Sequence, residues 1–176
     1  MVSKSNNLPK DAPIMRWYKR AGGWLVNIAM LVAVGWGFHL WQTRDMLAQT
    51  EQVEPFKTVL LTGEVGLVAP DKMRKTVLYF FAPWCGVCRA SIGNVARLDP
   101  TETRVIIIAL DYDSRDDVQQ FIDDVGIDLP VHLGTPVLRD FFRVKAYPSY
   151  YVLDPEFRVL GRSVGYSSAL GLSVRT

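Results

Sequence analysis

Cys85 and Cys88 are the chain's two cysteines, and they stand three positions apart in Cys85-Gly86-Val87-Cys88. A structural disulfide of that span would close almost no loop and would restrain the unfolded chain very little. Sulfurs so placed point to chemistry rather than scaffolding. At the start of a helix this spacing puts the first sulfur at the free end and the second one turn in. Unpaired N–H groups and the helix dipole favour an anion there, so Cys85 is expected to have a lowered pKa and to exist partly as thiolate. A thiolate attacks a disulfide to give a mixed disulfide, which a second thiol on the same turn can resolve. The reading therefore makes Cys85 the nucleophile and Cys88 the resolving thiol of a redox-active disulfide. Trp84, just before the nucleophile, either offers an aromatic surface to substrate or simply packs.

A metal is the main competing use of the same sulfurs. Structural zinc takes four ligands, and this chain has no second cysteine pair. Its two histidines, His39 and His132, have no motif spacing to the dithiol, and His132 reads as an ordinary strand or loop histidine rather than a base. Two thiolates can still hold Cu(I), a soft ion, so a copper-binding or copper-delivery protein is the rival from another class. A docking module that keeps the fold without turnover is a third. The redox reading needs no metal and no organic cofactor, because the dithiol carries two electrons. It does need a redox partner that resets the pair.

The elements around the pair are legible from hydrophobic pattern. Thr76–Phe81 is a continuous apolar, β-rich run, as expected of a strand buried on both faces. Val87, Cys88, Ser91, Val95 and Leu98 then follow helical spacing. Arg104–Leu110 predicts a second buried strand, and Asp113 or Ser114 a cap for a helix over about 115–125 that Gly126 ends. Lys57–Leu61 and Val65–Val68 flank Thr62-Gly63-Glu64 as a hairpin, Leu129–Leu133 reads as a short strand and Pro136–Val144 as a short helix. Ser149–Leu153 and Phe157–Ser163 form a final hairpin about Asp154-Pro155-Glu156, and a last helix turn is expected near Ser167–Leu172. Strands alternating with helices and then a closing hairpin give an α/β fold, a central mixed sheet with helices on both faces. The dithiol falls beyond the carboxyl end of a central strand, where such sheets gather their chemistry.

Upstream, residues 1–20 carry Lys4, Lys10, Arg16, Lys19 and Arg20 against Asp11 alone. The body that follows is slightly acidic, so no basic stripe for nucleic acid is present. Residues 21–43 lack formal charge and as a helix would span roughly 34 Å, enough for a hydrocarbon layer. Trp24 and Trp41 stand near its two ends, where interfaces favour amphipathic rings, and the preceding bases put the tail inside. The expected organisation is a cytoplasmic basic tail over 1–20, a single transmembrane helix over 21–43, a linker over 44–55 and the α/β domain over 56–176. That places the domain in the periplasm, tethered to the inner membrane. A cleaved signal peptide competes with the anchor, but both readings export the domain.

Phe81-Ala82-Pro83-Trp84-Cys85-Gly86-Val87-Cys88-Arg89 resembles the active-site segment of thioredoxin-like proteins. Tyr147-Pro148-Ser149-Tyr150-Tyr151-Val152-Leu153-Asp154 is similar to their second signature, a proline before a strand. The resemblance covers about residues 55–170. It implies a thioredoxin-like fold with a cis Tyr147–Pro148 bond against the dithiol. Tyr147 would then offer its backbone to an extended substrate segment, and Pro148 would bring no N–H to the sulfurs. With the apolar N-terminal segment, Gly126-Ile127-Asp128-Leu129-Pro130-Val131 and Gly165-Tyr166-Ser167, the chain looks like the exported, membrane-anchored TlpA/ResA/DsbE-type oxidoreductases. Among these it looks in particular like the suppressor-of-copper-sensitivity thioredoxin-like proteins. That branch implies protein substrates with thiols or disulfides outside the cytoplasmic membrane. Three positions depart from the family pattern. Tyr79 stands where thioredoxins bury an acid, Ser91 where cytochrome-maturation members often carry one, and Gly86-Val87 where thioredoxin has Gly-Pro. Without those acids, proton transfer from Cys88 must use water or another group.

Overall fold

The computed structural model describes residues 13–167. Lys4 and Lys10 of the basic tail, the side chain of His39, and the helix turn expected after Ser167 lie outside the described residues. The chain divides into two compact units, one ending at Gln42 and the other beginning at Thr43. In the first, α1 runs without interruption from Pro13 to Thr43 and so covers the uncharged segment in one helix. Val26, Ile28, Leu31, Val32, Val34, Phe38 and Leu40 are exposed on it. Among the described residues no helix is long and apolar enough to cross a membrane.

The second unit is built on a seven-stranded mixed sheet: β1 (Phe56–Leu60), β2 (Val65–Val68), β3 (Lys75–Phe81), β4 (Thr103–Ala109), β5 (Val131–Leu133), β6 (Ser149–Leu153) and β7 (Val159–Val164), in the order β2-β1-β5-β4-β3-β6-β7. β3, β4 and β5 are parallel, and their neighbours β1 and β6 run antiparallel to them. α2 (Gly86–Val95) and α3 (Arg115–Val125) supply Ile92, Val95, Val118 and Phe121 to the core on one face. The other face holds Leu78, Phe80, Ile106 and Ile108 beneath Phe142 and Val144, just past α4 (Pro136–Phe141). β3 has Thr76 to Phe81 without exposed surface, which is why its sequence shows no alternation. Full burial of each large apolar side chain there stabilises the fold by about 1.5–3 kcal/mol.

The local signals act as expected at the helix ends. Ser114 caps α3 through a reciprocal pair with Asp117, and Gly126 ends it at φ 65°, a conformation that glycine adopts at no steric cost. Three boundaries differ by two residues or more. β5 begins at Val131 rather than Leu129, since Pro130 has no N–H to give a ladder. β7 begins at Val159 because the Asp154 carboxylate accepts the N–H groups of Glu156 and Arg158 and Phe157 turns to φ 65°. α4 stops at Phe141, where Arg143 takes φ 50° and Val144 bonds back to the Arg139 carbonyl.

The stretch 44–55, expected as a linker, is instead packed onto the domain. Met46, Leu47 and Val53 are buried in the second core, and Val53 N–H donates to the Phe157 carbonyl. Arg162 donates to the carbonyls of Met46 and Leu47. Three apolar residues in a polar stretch give too short a pattern to declare itself, yet each finds apolar surface to cover.

Burial sets the pH response of this core. It raises the Tyr79 and Tyr150 phenols and pushes Tyr151 up to about 12. Deprotonation then costs more in the folded than in the unfolded chain. This contribution to stability is full below the ordinary phenol value of 10.0 and is lost as pH rises through the raised values. His132 has the opposite sign, because burial lowers its pKa and its contribution is lost as pH falls below 6.5. Urea unfolding of the oxidised chain is expected to show a midpoint that drops between about pH 10 and pH 12. A flat midpoint across that window would contradict the buried tyrosines.

Candidate active site

β3 delivers the chain to the carboxyl edge of the sheet, where Ala82-Pro83-Trp84 turns and the Cys85 N–H closes on the Ala82 carbonyl at 3.0 Å. Cys85 is the N-cap of α2, with extended backbone at φ −82° and ψ 107°. Its Sγ accepts the Cys88 N–H at 3.1 Å, the place a serine or aspartate oxygen takes at an ordinary helix start. No acidic side chain lies in the first turn of α2 to compete with a thiolate. The nearest cation on the helix, Arg89, is paired with Asp124 at 2.8 Å and lies over the Phe121 ring.

Cys85 and Cys88 are joined as a disulfide, so the structure is the oxidised form. Cys85 retains 7 % exposure and Cys88 none. An attacking sulfur must be reached from outside, whereas a resolving one need not be. Among the described residues no group of three or more His, Cys, Asp or Glu side chains could hold a metal ion. His132 is buried in β5, with Nδ1 2.6 Å from the Thr58 hydroxyl, and forms no part of the site.

Trp84 is both exposed and packed. It is 70 % exposed, yet its indole N–H donates to the Asp111 carbonyl at 2.8 Å and its ring meets Tyr147 edge-on, centroids 5.6 Å apart. The Tyr147–Pro148 bond is cis, as the resemblance implied. Pro148 is buried, and its carbonyl is occupied by the Gly165 N–H.

Two residues of the site were not singled out from sequence. Asp111 follows β4, whose parallel pairing with β3 sets the two strand ends side by side; the Leu110 N–H reaches the Phe81 carbonyl. Its carboxylate accepts from the Tyr147 hydroxyl at 2.8 Å and from Arg139 on α4 at 2.9 Å. The only sequence signal was an acid directly after a buried strand, which equally marks a helix approach.

Tyr79 and Ser91, the positions that depart from the family's acids, come together behind the dithiol. Their hydroxyls lie 3.1 Å apart, and both donate to the Cys88 carbonyl, at 3.3 Å and 3.4 Å. Tyr150 packs edge-on against Tyr79. Burial raises the Tyr79 phenol far above neutrality, so this pocket is polar without a carboxylate.

The sequence profile of the AhpC/TSA family matches residues 53–161. The thioredoxin-like protein YneN of Bacillus subtilis (strain 168) is 26% identical over 141 residues, which cover 74% of this chain and 83% of that protein. The crystal structure of a thiol:disulfide interchange protein of the thioredoxin family from Chlorobium tepidum TLS superposes with a TM-score of 0.63 at 24% identity, over 73% of this chain and 95% of that one. StoA from Bacillus subtilis gives 0.60 at 18% identity, over 72% and 98%. The structural likenesses show a shared thioredoxin-like fold.

Tyr79→Phe deletes a hydroxyl that donates to the Cys88 carbonyl and leaves the ring packed. It is expected to lower the stability of the oxidised chain by about 1 kcal/mol in urea unfolding. An unchanged midpoint would mean that the hydroxyl makes no net bond.

Proposed function

This chain belongs to the AhpC/TSA family and is built as a thioredoxin-like thiol–disulfide oxidoreductase, and from that premise we propose that it exchanges disulfides with exported proteins while tethered to the inner membrane. The observation that carries the exchange is the Cys85–Cys88 disulfide at the head of α2, where Cys85 keeps 7 % exposure and Cys88 keeps none. In the reducing direction the Cys85 thiolate attacks one sulfur of a substrate disulfide. A Cys85–substrate bond forms, the substrate's disulfide breaks, and its other sulfur leaves as a thiolate that takes a proton. Cys88 then loses its proton, attacks Cys85 and closes the intramolecular disulfide, while the second substrate sulfur leaves and is protonated. The substrate gains two electrons and two protons, and the dithiol loses them. The oxidising direction is the same sequence reversed, and a second redox protein must return the pair to its starting state.

The tether rests on the sequence: the basic tail over 1–20, the uncharged stretch over 21–43 and the aromatic residues at its ends. In this reading the N-terminus is cytoplasmic and the dithiol domain periplasmic. Trp84 and Tyr147 form the surface that meets the substrate polypeptide, with the buried cis Pro148 following Tyr147 in the chain. A finer kinship with suppressor-of-copper-sensitivity proteins would add copper as the reason for the exchange, through the same two thiolates.

Cys88→Ser removes the resolving thiol, and cells expressing it are expected to accumulate mixed disulfides through Cys85 that reductant releases. Their absence under oxidising conditions would sink the turnover reading. If Cu(I) is the purpose, the reduced wild-type chain will instead retain copper tightly and reduce disulfides negligibly. For the tether, alkaline carbonate washing is expected to leave the chain in the membrane pellet; release into the supernatant would rule out a spanning anchor.

A further inference from the structure

Three segments that are far apart in sequence end on one residue. Trp84 comes from the turn before α2, Arg139 from α4 and Tyr147 from the loop before β6, and each donates a hydrogen bond to Asp111. The two kinds of acceptor are separate. Asp111's backbone carbonyl takes the Trp84 indole, while its carboxylate spans Tyr147 and Arg139. The carboxylate therefore bears its charge against a guanidinium and adds little net charge beside the sulfurs. Asp111 sits at φ 47°, a left-handed conformation that aspartate tolerates better than most side chains.

The backbone around Asp111 is fixed without help from its side chain. Leu110 bonds to the Phe81 carbonyl, and the Tyr112 hydroxyl donates to the Gly134 carbonyl. Gly134 in turn bonds to the Ala109 carbonyl and lies so close that an added Cβ would stand 2.5 Å from the Leu110 side chain. What the carboxylate contributes is the placement of the Tyr147 ring, against whose edge the exposed Trp84 ring rests.

We propose that Asp111 is a positioning residue for substrate selection: by holding Tyr147 and Trp84 as one fixed aromatic wall beside Cys85, it lets the site favour polypeptide disulfides over small ones. The inference deepens the oxidoreductase reading and rests on it. A wall fixed before binding saves an incoming polypeptide the ordering of two large side chains. A small disulfide covers little of that wall, so it loses less when the wall is loosened.

The test uses the reduced, detergent-solubilised full chain in single turnovers, with insulin and glutathione disulfide as alternative oxidants of the dithiol. Asp111→Gly keeps the left-handed backbone and the carbonyl that holds Trp84 while deleting the carboxylate. It is expected to cut the preference for insulin over glutathione disulfide roughly tenfold, chiefly through a higher half-saturating insulin concentration. Tyr147→Phe should reproduce that loss, and the double variant should lose no more than either alone. Asp111→Asn, which keeps an acceptor for the Tyr147 hydroxyl, should recover part of the preference. Equal losses with both oxidants, an unchanged preference or additive effects in the double variant would overturn the proposal. A wild-type chain inert to both oxidants would overturn the oxidoreductase reading itself, and this inference with it.

Discussion

A helix start leaves N–H groups that something must accept, and in this fold a sulfur accepts one of them. The Cys88 N–H pointing at the Cys85 Sγ is a capping bond and a chemical arrangement at once. The same contact that begins α2 spreads negative charge off the sulfur when it is a thiolate. Much of the sheet serves to aim that contact. β3 is locked between β4 and β6, both of its faces are covered, and it ends where the cap must stand. Displacing β3 would move the cap away from the strand end that positions it.

Among the described residues, hydroxyl groups and not a carboxylate stand behind the dithiol. Tyr79 and Ser91 fasten the turn that carries Cys88 through its carbonyl, and Tyr150 closes the space behind them. Neutral hydroxyls can donate and accept without imposing a charge on a buried sulfur, whereas a buried anion would oppose formation of a second one nearby. Water or the departing substrate sulfur is left to carry the proton.

What could be read from the sequence was whatever local physics dictates. The buried run of β3, the Ser114 cap, the terminating Gly126 and the short spacing of the cysteines each express a rule that acts within a few residues. The cis Tyr147–Pro148 bond came from family likeness and not from propensity. Asp111 and Arg139 were invisible because their meaning depends on separate segments converging in space, and an acid after a strand has many uses. Met46, Leu47 and Val53 were missed for a related reason. Their burial is decided by the far face of the sheet, and nothing in their own neighbourhood announces it. A three-residue strand such as β5 likewise takes its limits from partners on both sides.

The zero exposure of Cys88 has a further consequence for wear. An oxidant from solution meets Cys85 first, and a sulfenic acid formed there lies beside a shielded thiol that can condense with it and expel water. The damaged intermediate is thereby returned to the ordinary resting disulfide before a second oxidation makes the lesion permanent. A buried partner is thus also a built-in repair kit, held in reserve where corrosive small molecules do not reach it.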